Sequence, residues 1–363
     1  MSMKIRKTVL IFTACMGLSL LAGCGDEKQQ IFKEAEKDLE QGSYDYALDE
    51  FTTSVENGIN LTTSYRGIAI CQLRMGNYED AVTAFTNALG TEKVSKSVAK
   101  DLYLYRATAR LQAGHLEDAM ADCQMLAQNY DMDADCWFLT GKVALAMDGY
   151  DEASSDFEQA YGEDSSYDRA IQIYEAYLEK DMEADGTRYL EAVLSTEAKG
   201  TDDLCDRGRI YYYMEDYANA KKELTDASNQ GSQEALLVLG LVYGAQQDYA
   251  NARSMYQQFV NQKLEDTSRN QTQTAAPGYN GLAVCDMAEG NYDSALENIN
   301  NGISVAADDE MQSLLFNEIV IYEKKLDFST AQAKAQEYVG MYPDDEEAAR
   351  ELDFLKSRTG TVQ

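Results

Sequence analysis

The feature that most constrains the fold is a short pattern that returns along the chain at nearly constant spacing. It reads Gly-x-Tyr-x-x-Ala-x-x-x-Phe-x-x-Ala from Gly76 to Ala88, and the aromatic or large apolar residue of each copy serves as its marker. The markers are Tyr44, Tyr78, Leu116, Tyr150, Tyr217, Tyr249, Tyr292 and Phe328. Successive markers lie 34, 38, 34, 67, 32, 43 and 36 residues apart. Because 67 is about two periods, we expect one degenerate unit at about 168–199, which gives nine units.

Each copy places small and bulky side chains at fixed distances after the marker. The third residue after the marker is alanine in all eight copies, and the seventh is mostly bulky, as in Phe51, Phe85 and Phe157. Residues three and four apart lie on one face of a helix. The pattern therefore predicts an amphipathic helix whose alanines let a second helix approach closely.

A second helical pattern precedes each marker. In the seventh unit it reads Leu236-x-x-Leu239-Gly240-x-x-Tyr243, and the sixth unit carries Leu204, Gly208 and Tyr211 at the same places. A period of about 34 with this order of residues resembles the tetratricopeptide repeat family, whose unit is a helix-turn-helix. The resemblance covers roughly Gln30 to Lys356 and implies an all-α fold, a right-handed superhelical solenoid of about nine such units.

The chain departs from the family pattern in three places. The unit around Asp185 has lost its marker, Leu116 replaces an aromatic residue, and the proline that often ends a unit survives only as Pro343. After Pro343 the charged segment from Asp344 to Arg358 fits a C-terminal capping helix, which would turn Ala348, Leu352 and Leu355 inward. Only two prolines in 363 residues agree with a chain that is nearly all helix.

The N-terminus has the composition of a secretory signal. Three basic residues precede an apolar run from Thr8 to Leu21, which is too short to span a membrane as a mature helix. The run ends in Leu21-Ala22-Gly23-Cys24, which resembles the lipobox of bacterial lipoproteins. That resemblance implies lipidation of Cys24 and cleavage before it, although an ordinary signal or a short membrane anchor gives a similar pattern. We expect a lipid-anchored protein on the extracytoplasmic face of the cell membrane.

These signals divide the chain into segments. They are a signal peptide at 1–23, a tether from the lipidated Cys24 at 24–30, the solenoid at 31–358 with a polar insertion at about 261–277, and a tail at 359–363. The insertion lengthens one spacing to 43 residues, and it is either a tolerated surface loop or part of a binding edge. The sequence does not distinguish a Gram-positive from a Gram-negative envelope.

The composition is strongly acidic. The chain has 31 Lys and Arg against 63 Asp and Glu, a formal net charge of −32, and loss of 1–23 removes three basic residues and no acidic ones. Such a chain is repelled by nucleic acid and by anionic lipid headgroups, so we expect no nucleic-acid partner. The acidity fits a solvated surface, and it also fits weak attraction of basic partners.

Candidate chemistry is sparse. The one histidine, His115, lies in the turn before a marker, so no histidine-paired nucleophile or histidine-rich metal site can form within the chain. Asp131-x-Asp133-x-Asp135 resembles the start of a calcium loop, but the glycine and the late glutamate of an EF-hand are missing. No Gly-rich phosphate loop follows a strand. We therefore predict that the protein is not an enzyme and uses no cofactor and no metal.

The cysteines of the mature body form no C-x-x-C pair. They are Cys71, Cys123, Cys136, Cys205 and Cys285. Cys71 and Cys285 occupy matching places seven residues before their markers, and Cys123 stands in the bulky column. We expect buried free thiols that behave as small apolar side chains, with a Cys123–Cys136 disulfide as the alternative.

The remaining candidate is a binding surface. In the tetratricopeptide family the first helix of each unit lines a concave groove, and peptides bind such grooves through side-chain pockets. By that resemblance the groove would include Arg66, Ile70, Leu104, Leu111, Phe138, Lys142, Arg209, Tyr212, Leu237, Leu241, Phe316 and Val320. For each residue, packing between helices is the competing interpretation.

These observations predict a non-catalytic, membrane-anchored scaffold in a bacterial cell-envelope complex, which binds an envelope protein or peptide in the groove. A different class of function is capture of a solute or glycan at the cell surface, with exposed aromatic side chains as sugar platforms. Most aromatic residues fall in the core columns of the repeat, and the chain has a single Trp, which favours the scaffold.

Overall fold

A computed structural model of the protein describes residues 27–92, 94–265, 274–343 and 345–360. Over these residues the chain forms nineteen α-helices and no strand, which confirms the all-α prediction. The helices are α1 (Glu27–Glu40), α2 (Tyr44–Glu56), α3 (Leu61–Arg74), α4 (Tyr78–Leu89), α5 (Lys96–Gln112), α6 (Leu116–Asn129), α7 (Ala134–Ala146), α8 (Tyr150–Glu163), α9 (Tyr167–Leu178), α10 (Glu183–Leu194), α11 (Thr201–Tyr213), α12 (Tyr217–Asn229), α13 (Glu234–Ala245), α14 (Tyr249–Glu265), α15 (Ala276–Ala288), α16 (Tyr292–Ile303), α17 (Asp308–Lys324), α18 (Phe328–Met341) and α19 (Glu346–Thr359). They form nine consecutive pairs followed by a single terminal helix.

Every marker read from the sequence is the first residue of the second helix of a pair. The alanine three residues later is fully buried in all eight of these units, from Ala47 to Ala331. The bulky residue seven positions after the marker is also buried, as in Phe51 and Phe157. Because alanine adds no bulk at the contact, the two helices of a unit pack closely, and the large side chain fills the space beside them.

The turns within the nine pairs share one backbone conformation. Two residues before each second helix the chain adopts a left-handed φ, at glycine in the first three units and at Asp148, Glu215, Gln247 and Leu326 in later ones. The next N–H donates to a carbonyl five residues back, as from Asn77 to Gln72 at 2.9 Å. This is the Schellman arrangement, which satisfies the carbonyls that a helix leaves free at its end.

The degenerate unit is the pair α9 and α10. Its second helix begins at Glu183, which lies 33 residues after Tyr150, and the turn before it has the left-handed residue at Asp181. Gly186 stands where the other units have alanine, and Leu190 is fully buried in the bulky position. Glu183 stands at the marker position and Gly186 at the alanine position, so this unit does not match the sequence pattern of the other eight.

The array is layered, because most odd-numbered helices contact the odd-numbered helix of the next unit as well as their own partner. These first helices therefore form the inner layer of the solenoid. The array also curves enough to bring the turn of the first unit beside the start of the last unit, since a Cβ placed on Gly42 would lie 3.8 Å from that of Ala307, just before α17.

The terminal helix α19 closes the array. It packs on α18, and its inward residues Ala348, Leu352 and Leu355 are buried in a cluster with Ile319 and Tyr338. This placement confirms the predicted capping helix, which covers the apolar edge that the last unit would otherwise expose.

The polar insertion falls between α14 and α15. Helix α14 runs for 17 residues to Glu265, and α15 begins at Ala276, while residues 266–273 lie outside the described part of the chain. Thr274, at the start of the following segment, donates its hydroxyl hydrogen to the Glu310 carboxylate at 2.5 Å. The end of the insertion is thereby fastened to α17.

Candidate functional site

The candidate site is the exposed side of the inner layer, where each first helix carries two equivalent positions one helical turn apart. In α13 these inner positions are Leu237 and Leu241, which lie on the face of the helix opposite its buried residues. The equivalent pairs in other units are Arg66 and Ile70, Leu104 and Thr108, Phe138 and Lys142, Cys205 and Arg209, Asn280 and Val284, and Phe316 and Val320. The inner positions therefore form two columns along the solenoid, and their exposed surface is interrupted where Phe138 and Cys205 are buried.

The charged inner residues are ion-paired to neighbouring carboxylates. Arg66 of α3 contacts Asp101 of α5, with Nη2 to Oδ2 at 2.5 Å. The Lys142 Nζ lies 3.7 Å from Glu179 Oε2, at the end of α9. Each of these ion pairs joins one unit to the next, so the two cations help to hold the units of the array together.

The third charged inner residue, Arg209 of α11, has an excess of carboxylates around it. Its Nη1 lies 3.2 Å from Asp206 and 3.5 Å from Asp168 of α9. The carboxylate of Glu234, in the first turn of α13, also attracts the guanidinium and favours its charged form. One positive charge thus faces three negative ones where α9, α11 and α13 meet.

Ion pairs of the same kind join other units in the first half of the array. Lys100 contacts Asp133 at 2.6 Å, Lys180 contacts Asp148 at 2.9 Å, and the buried Arg169 pairs with Asp135. Asp133 also caps α7, because its Oδ1 accepts from the Cys136 N–H at 3.0 Å. Burial disfavours ionisation of Asp133, but Lys100 and the Cys136 N–H together hold its pKa below the usual value.

These contacts give a structural role to the aspartates whose spacing resembles a calcium loop. Asp133 and Asp135 are committed to ion pairs, and the Asp131 carbonyl accepts from Lys100 Nζ at 2.7 Å. Among the described residues, no group of three or more His, Cys, Asp or Glu side chains is placed to hold a metal ion. His115 is half-exposed in its turn and lies 3.0 Å from Glu79.

The last three units differ, since their inner positions carry no charge. They are Leu237, Leu241, Asn280, Val284, Phe316 and Val320, and each is half-buried. Asn317 Nδ2 donates to Asn280 Oδ1 at 2.7 Å, which ties α17 to α15. The charged, ion-paired residues of the inner layer thus lie in the first six units, and the layer is mainly apolar in α13, α15 and α17.

Most of the predicted groove residues are half-buried on first helices, but Phe138 is not available to a ligand. It is 8% exposed, and its ring packs against Phe157 with centroids 5.8 Å apart. The Arg169 guanidinium lies 4.9 Å from the Phe138 ring centroid. Including Phe138 in an open groove was therefore wrong, because this position turns towards the core.

The other predicted apolar residues keep part of their surface. Ile70, Leu104 and Leu111 are half-buried and pack on the clusters beneath them. Tyr212 has its ring 5.9 Å from that of Tyr213 and 6.3 Å from that of Tyr217. The structure brings these residues into one layer, distributed along the array and not gathered into one pocket.

A small cavity lies at the C-terminal ends of α5, α7 and α9. Its volume is about 160 Å³, and its lining comprises Leu111, Gln112, Lys142, Leu145, Ala146, Ala176, Glu179 and Lys180. Pockets that enclose small-molecule ligands measure about 300–1,000 Å³. This cavity has room for a side chain and is too small to enclose a larger ligand.

Sequence reasoning missed Asn280 and Val284, although the spacing contained the information. Val284 lies 43 residues after Leu241, and the same 43 residues separate Tyr249 from Tyr292. Applying the lengthened spacing to the first helix would have placed Asn280 and Val284 in the inner columns. The carboxylate partners of the inner cations carried no such signal, because they occupy several different positions.

The five described cysteines are all buried, and no two of them form a disulfide. Burial raises the pKa of Cys123, Cys136 and Cys205 to about 12 and that of Cys285 to about 11. They pack as small apolar side chains, and Cys123 and Cys136 are not bonded to each other.

Comparison with known proteins identifies the repeat. A family model described as tetratricopeptide repeat matches residues 68–134 and 205–265. The protein is a tetratricopeptide-repeat protein. The matched segments contain α4–α6 and α12–α14 in full, and the unmatched units repeat the same buried columns and turns. This repeat generally forms non-catalytic scaffolds for protein interaction.

Solved structures with a similar fold include other tetratricopeptide proteins. The tetratricopeptide repeat protein from Parabacteroides merdae is 14% identical, with a TM-score of 0.43 over 72% of this chain and 99% of that one. MamA from Desulfovibrio magneticus is 16% identical, with a TM-score of 0.40 over 48% and 96%. The Cut9–Hcn1 complex of APC/C gives 15% identity and a TM-score of 0.40 over 85% of this chain and 58% of that one. At 14–16% identity this likeness is one of fold. A search of curated proteins gave no match.

The predicted lipidation site lies outside the described residues, as do the signal peptide and most of the tether. Among the helices that the structure describes, none is long and apolar enough to cross a membrane.

Proposed function

We propose that the protein is a membrane-anchored scaffold, which binds an envelope protein or peptide along the inner layer of its solenoid. The observation that carries this proposal is the row of equivalent side chains on successive first helices, which are half-buried except at Phe138 and Cys205. A surface of this kind offers neighbouring side-chain pockets about one helix spacing apart, roughly 8–10 Å, to an elongated ligand.

The glycan-capture alternative has less support from the aromatic residues. Sugar platforms need exposed rings, but Tyr174, Tyr177, Tyr189, Tyr256 and Tyr338 are each less than 5% exposed. These rings belong to the core.

Anchoring through Cys24 rests on the lipobox-like sequence that follows the apolar run. It is tested by expressing the full chain in a bacterial host with an alkyne-labelled fatty acid. We expect label on the wild type, no label on Cys24→Ala, and unchanged label on Cys15→Ala, whose cysteine lies in the segment to be removed. Label that persists in Cys24→Ala would refute the anchor.

The scaffold itself is tested by proximity crosslinking on intact cells, with the lipidated protein as bait and Cys24→Ala as the control. We expect one envelope protein to be enriched with the wild type and lost with the variant. Failure to enrich any protein above the control would count against the scaffold and favour capture of a small molecule or glycan.

A further inference from the structure

The inner layer has two chemically different parts, and only the last three units offer an uncharged surface that extends over successive helices. In the first six units, Arg66, Lys142 and Arg209 are held by carboxylates of their own or other units. A ligand that used these cations would have to break ion pairs that join the units. The ion-paired part is therefore committed to holding the array together.

The last three units present apolar side chains at equivalent places on three successive first helices. Leu237 and Leu241 lie on α13, Val284 on α15, and Phe316 and Val320 on α17. Helix α13 contacts α15, and α15 contacts α17, so these side chains form a continuous strip across the three units. Partial burial of an apolar strip leaves surface that a ligand can remove from water.

The charge at one end of this strip indicates what kind of partner fits it. Asp168, Asp206 and Glu234 surround the single guanidinium of Arg209 where the strip begins. Burial raises the pKa of Asp206 to about 6; Arg209 opposes this shift, and Asp168 and Glu234 add to it. This excess of negative charge favours a positive group on a ligand that lies along the strip.

We propose that the strip formed by Leu237, Leu241, Val284, Phe316 and Val320 binds a segment of a partner protein that carries apolar side chains next to Lys or Arg. The apolar side chains contact the strip, and the basic residue meets the carboxylates around Arg209. A second copy of this chain is a poor occupant, because its net charge of −32 opposes self-association. The proposal rests on the scaffold function above and assigns it to the last three units.

The test uses two matched variants of the same inner column. Leu241→Asn replaces an apolar side chain of the strip by a polar one. Ile70→Asn makes a comparable change at the equivalent position of α3, among the units whose inner cations are ion-paired. The probe is a short fluorescein-labelled peptide of leucine and lysine at helical spacing, compared with a leucine and glutamate peptide of the same apolar pattern. Binding to the full chain lacking only its signal is followed by fluorescence anisotropy at about 0.15 M salt, where long-range attraction is largely screened.

We expect the leucine and lysine peptide to bind the wild type and the glutamate peptide not to bind. Leu241→Asn should weaken binding about tenfold, as loss of an apolar contact predicts, whereas Ile70→Asn should change it less than about twofold. Equal effects of the two variants, or no binding by the wild type, would overturn the proposal. Binding of the glutamate peptide as tightly as the lysine peptide would overturn its basic component. A concentration-dependent dimer that Leu241→Asn abolishes would assign the strip to a second copy instead.

A photo-crosslinking amino acid at position 241 or position 70 of the full chain in cells separates this proposal from the scaffold function. Adducts that form at position 241 and not at position 70 support both the scaffold function and the location of binding in the strip. Adducts from position 70 alone preserve the scaffold and refute the location, and no adduct from either position refutes the scaffold as well.

Discussion

Single residues set how closely the helices of this solenoid approach each other. The first helices of several units carry a glycine against the bulky residue that follows the marker. A Cβ on Gly141 would lie 2.8 Å from the Phe157 ring, and one on Gly208 would lie 2.3 Å from Leu224. The missing side chain is therefore what makes room for the large one.

Gly240→Ala tests this role within one helix. The added Cβ would lie 2.4 Å from Cε1 of Tyr256, which is 4% exposed, so the ring must shift in a filled core. We expect the free energy of unfolding to fall by about 1–3 kcal/mol. Gly244→Ala is the control on the same helix, where the Cβ meets nothing within 4 Å, and we expect it to be neutral or to stabilise by up to about 1 kcal/mol. Urea unfolding measures both, and equal effects would contradict the packing role.

The buried thiols give a second prediction at this scale. Because burial raises the pKa of Cys123, Cys136 and Cys205 to about 12, hardly any thiolate forms in the folded protein at pH 8. We expect the chain from residue 25 onwards to react negligibly with Ellman's reagent when folded, and to show five thiols in concentrated urea. Rapid reaction of a thiol before unfolding would show that its burial is incomplete.

At the scale of the element, each unit combines close helix packing with polar contacts that no single helix specifies. In the third unit, Asp122 of α6 is 2% exposed and accepts from two arginines of α5. Arg106 approaches it in bidentate fashion at 2.7 and 2.9 Å, and Arg110 lies 2.6 Å away. Such a site is satisfied only while all its members are present.

Asp122→Ala should therefore destabilise the protein strongly. Removing the carboxylate leaves two arginines facing one another without their shared partner, and the typical cost of breaking a buried ion pair is about 3–5 kcal/mol. We expect a loss near the lower limit, because both arginine side chains retain some contact with solvent. Asp353→Ala removes an exposed partner of Lys356 and should cost less than about 1 kcal/mol. Thermal denaturation compares the two, and a similar cost for both would exclude a special role for Asp122.

Helices α17 and α19 share a pH-dependent contact. Burial raises the pKa of Glu323, near the end of α17, to about 8, and Glu351 of α19 acts in the same direction. Since the folded state binds this proton more tightly than the unfolded state, its stabilising contribution is full below about pH 4.5 and is lost as the pH rises through about 8. Above that pH, two carboxylates face each other beneath the capping helix.

Glu323→Gln removes this ionisation. At pH 9 we expect the variant to be more stable than the wild type by about 1–2 kcal/mol, a value reduced because the side chain is partly in contact with water. At pH 4 the two should be alike. The exposed Glu297→Gln provides the control, and urea unfolding at both pH values is the measurement. A difference of the same size at both pH values would show that Glu323 does not change its ionisation between pH 4 and pH 9, which contradicts the raised pKa.

At the scale of the whole molecule, stability is expected to be distributed along the array. Contacts are mainly between neighbouring helices, so each unit depends on the next, and the terminal helix protects the last one. Deleting residues 346–363 would expose Ile319 and Tyr338, which α19 now covers. We expect faster hydrogen exchange in α17 and α18, no change in α3–α6, and a tendency to associate.

Hydrogen exchange with mass spectrometry tests this, together with size-exclusion chromatography. A deletion of 361–363 alone is the control for shortening the chain. Uniformly faster exchange over all units would show instead that the solenoid unfolds as one cooperative body.

The sequence by itself determined the repeat, because packing two helices closely requires a small residue and a large one at fixed places. The positions of the markers therefore predicted where eight of the second helices begin, and the spacing of 67 residues predicted the ninth unit. Only the tertiary structure decided which side chains of the inner layer are exposed and which are ion-paired. Whether Phe138 faces outward depends on neighbouring helices, and the partners of Arg66 and Lys142 lie 35 and 37 residues away in sequence. Such contacts join side chains of different units that lie outside the shared columns of the repeat, so the repeat pattern does not predict them.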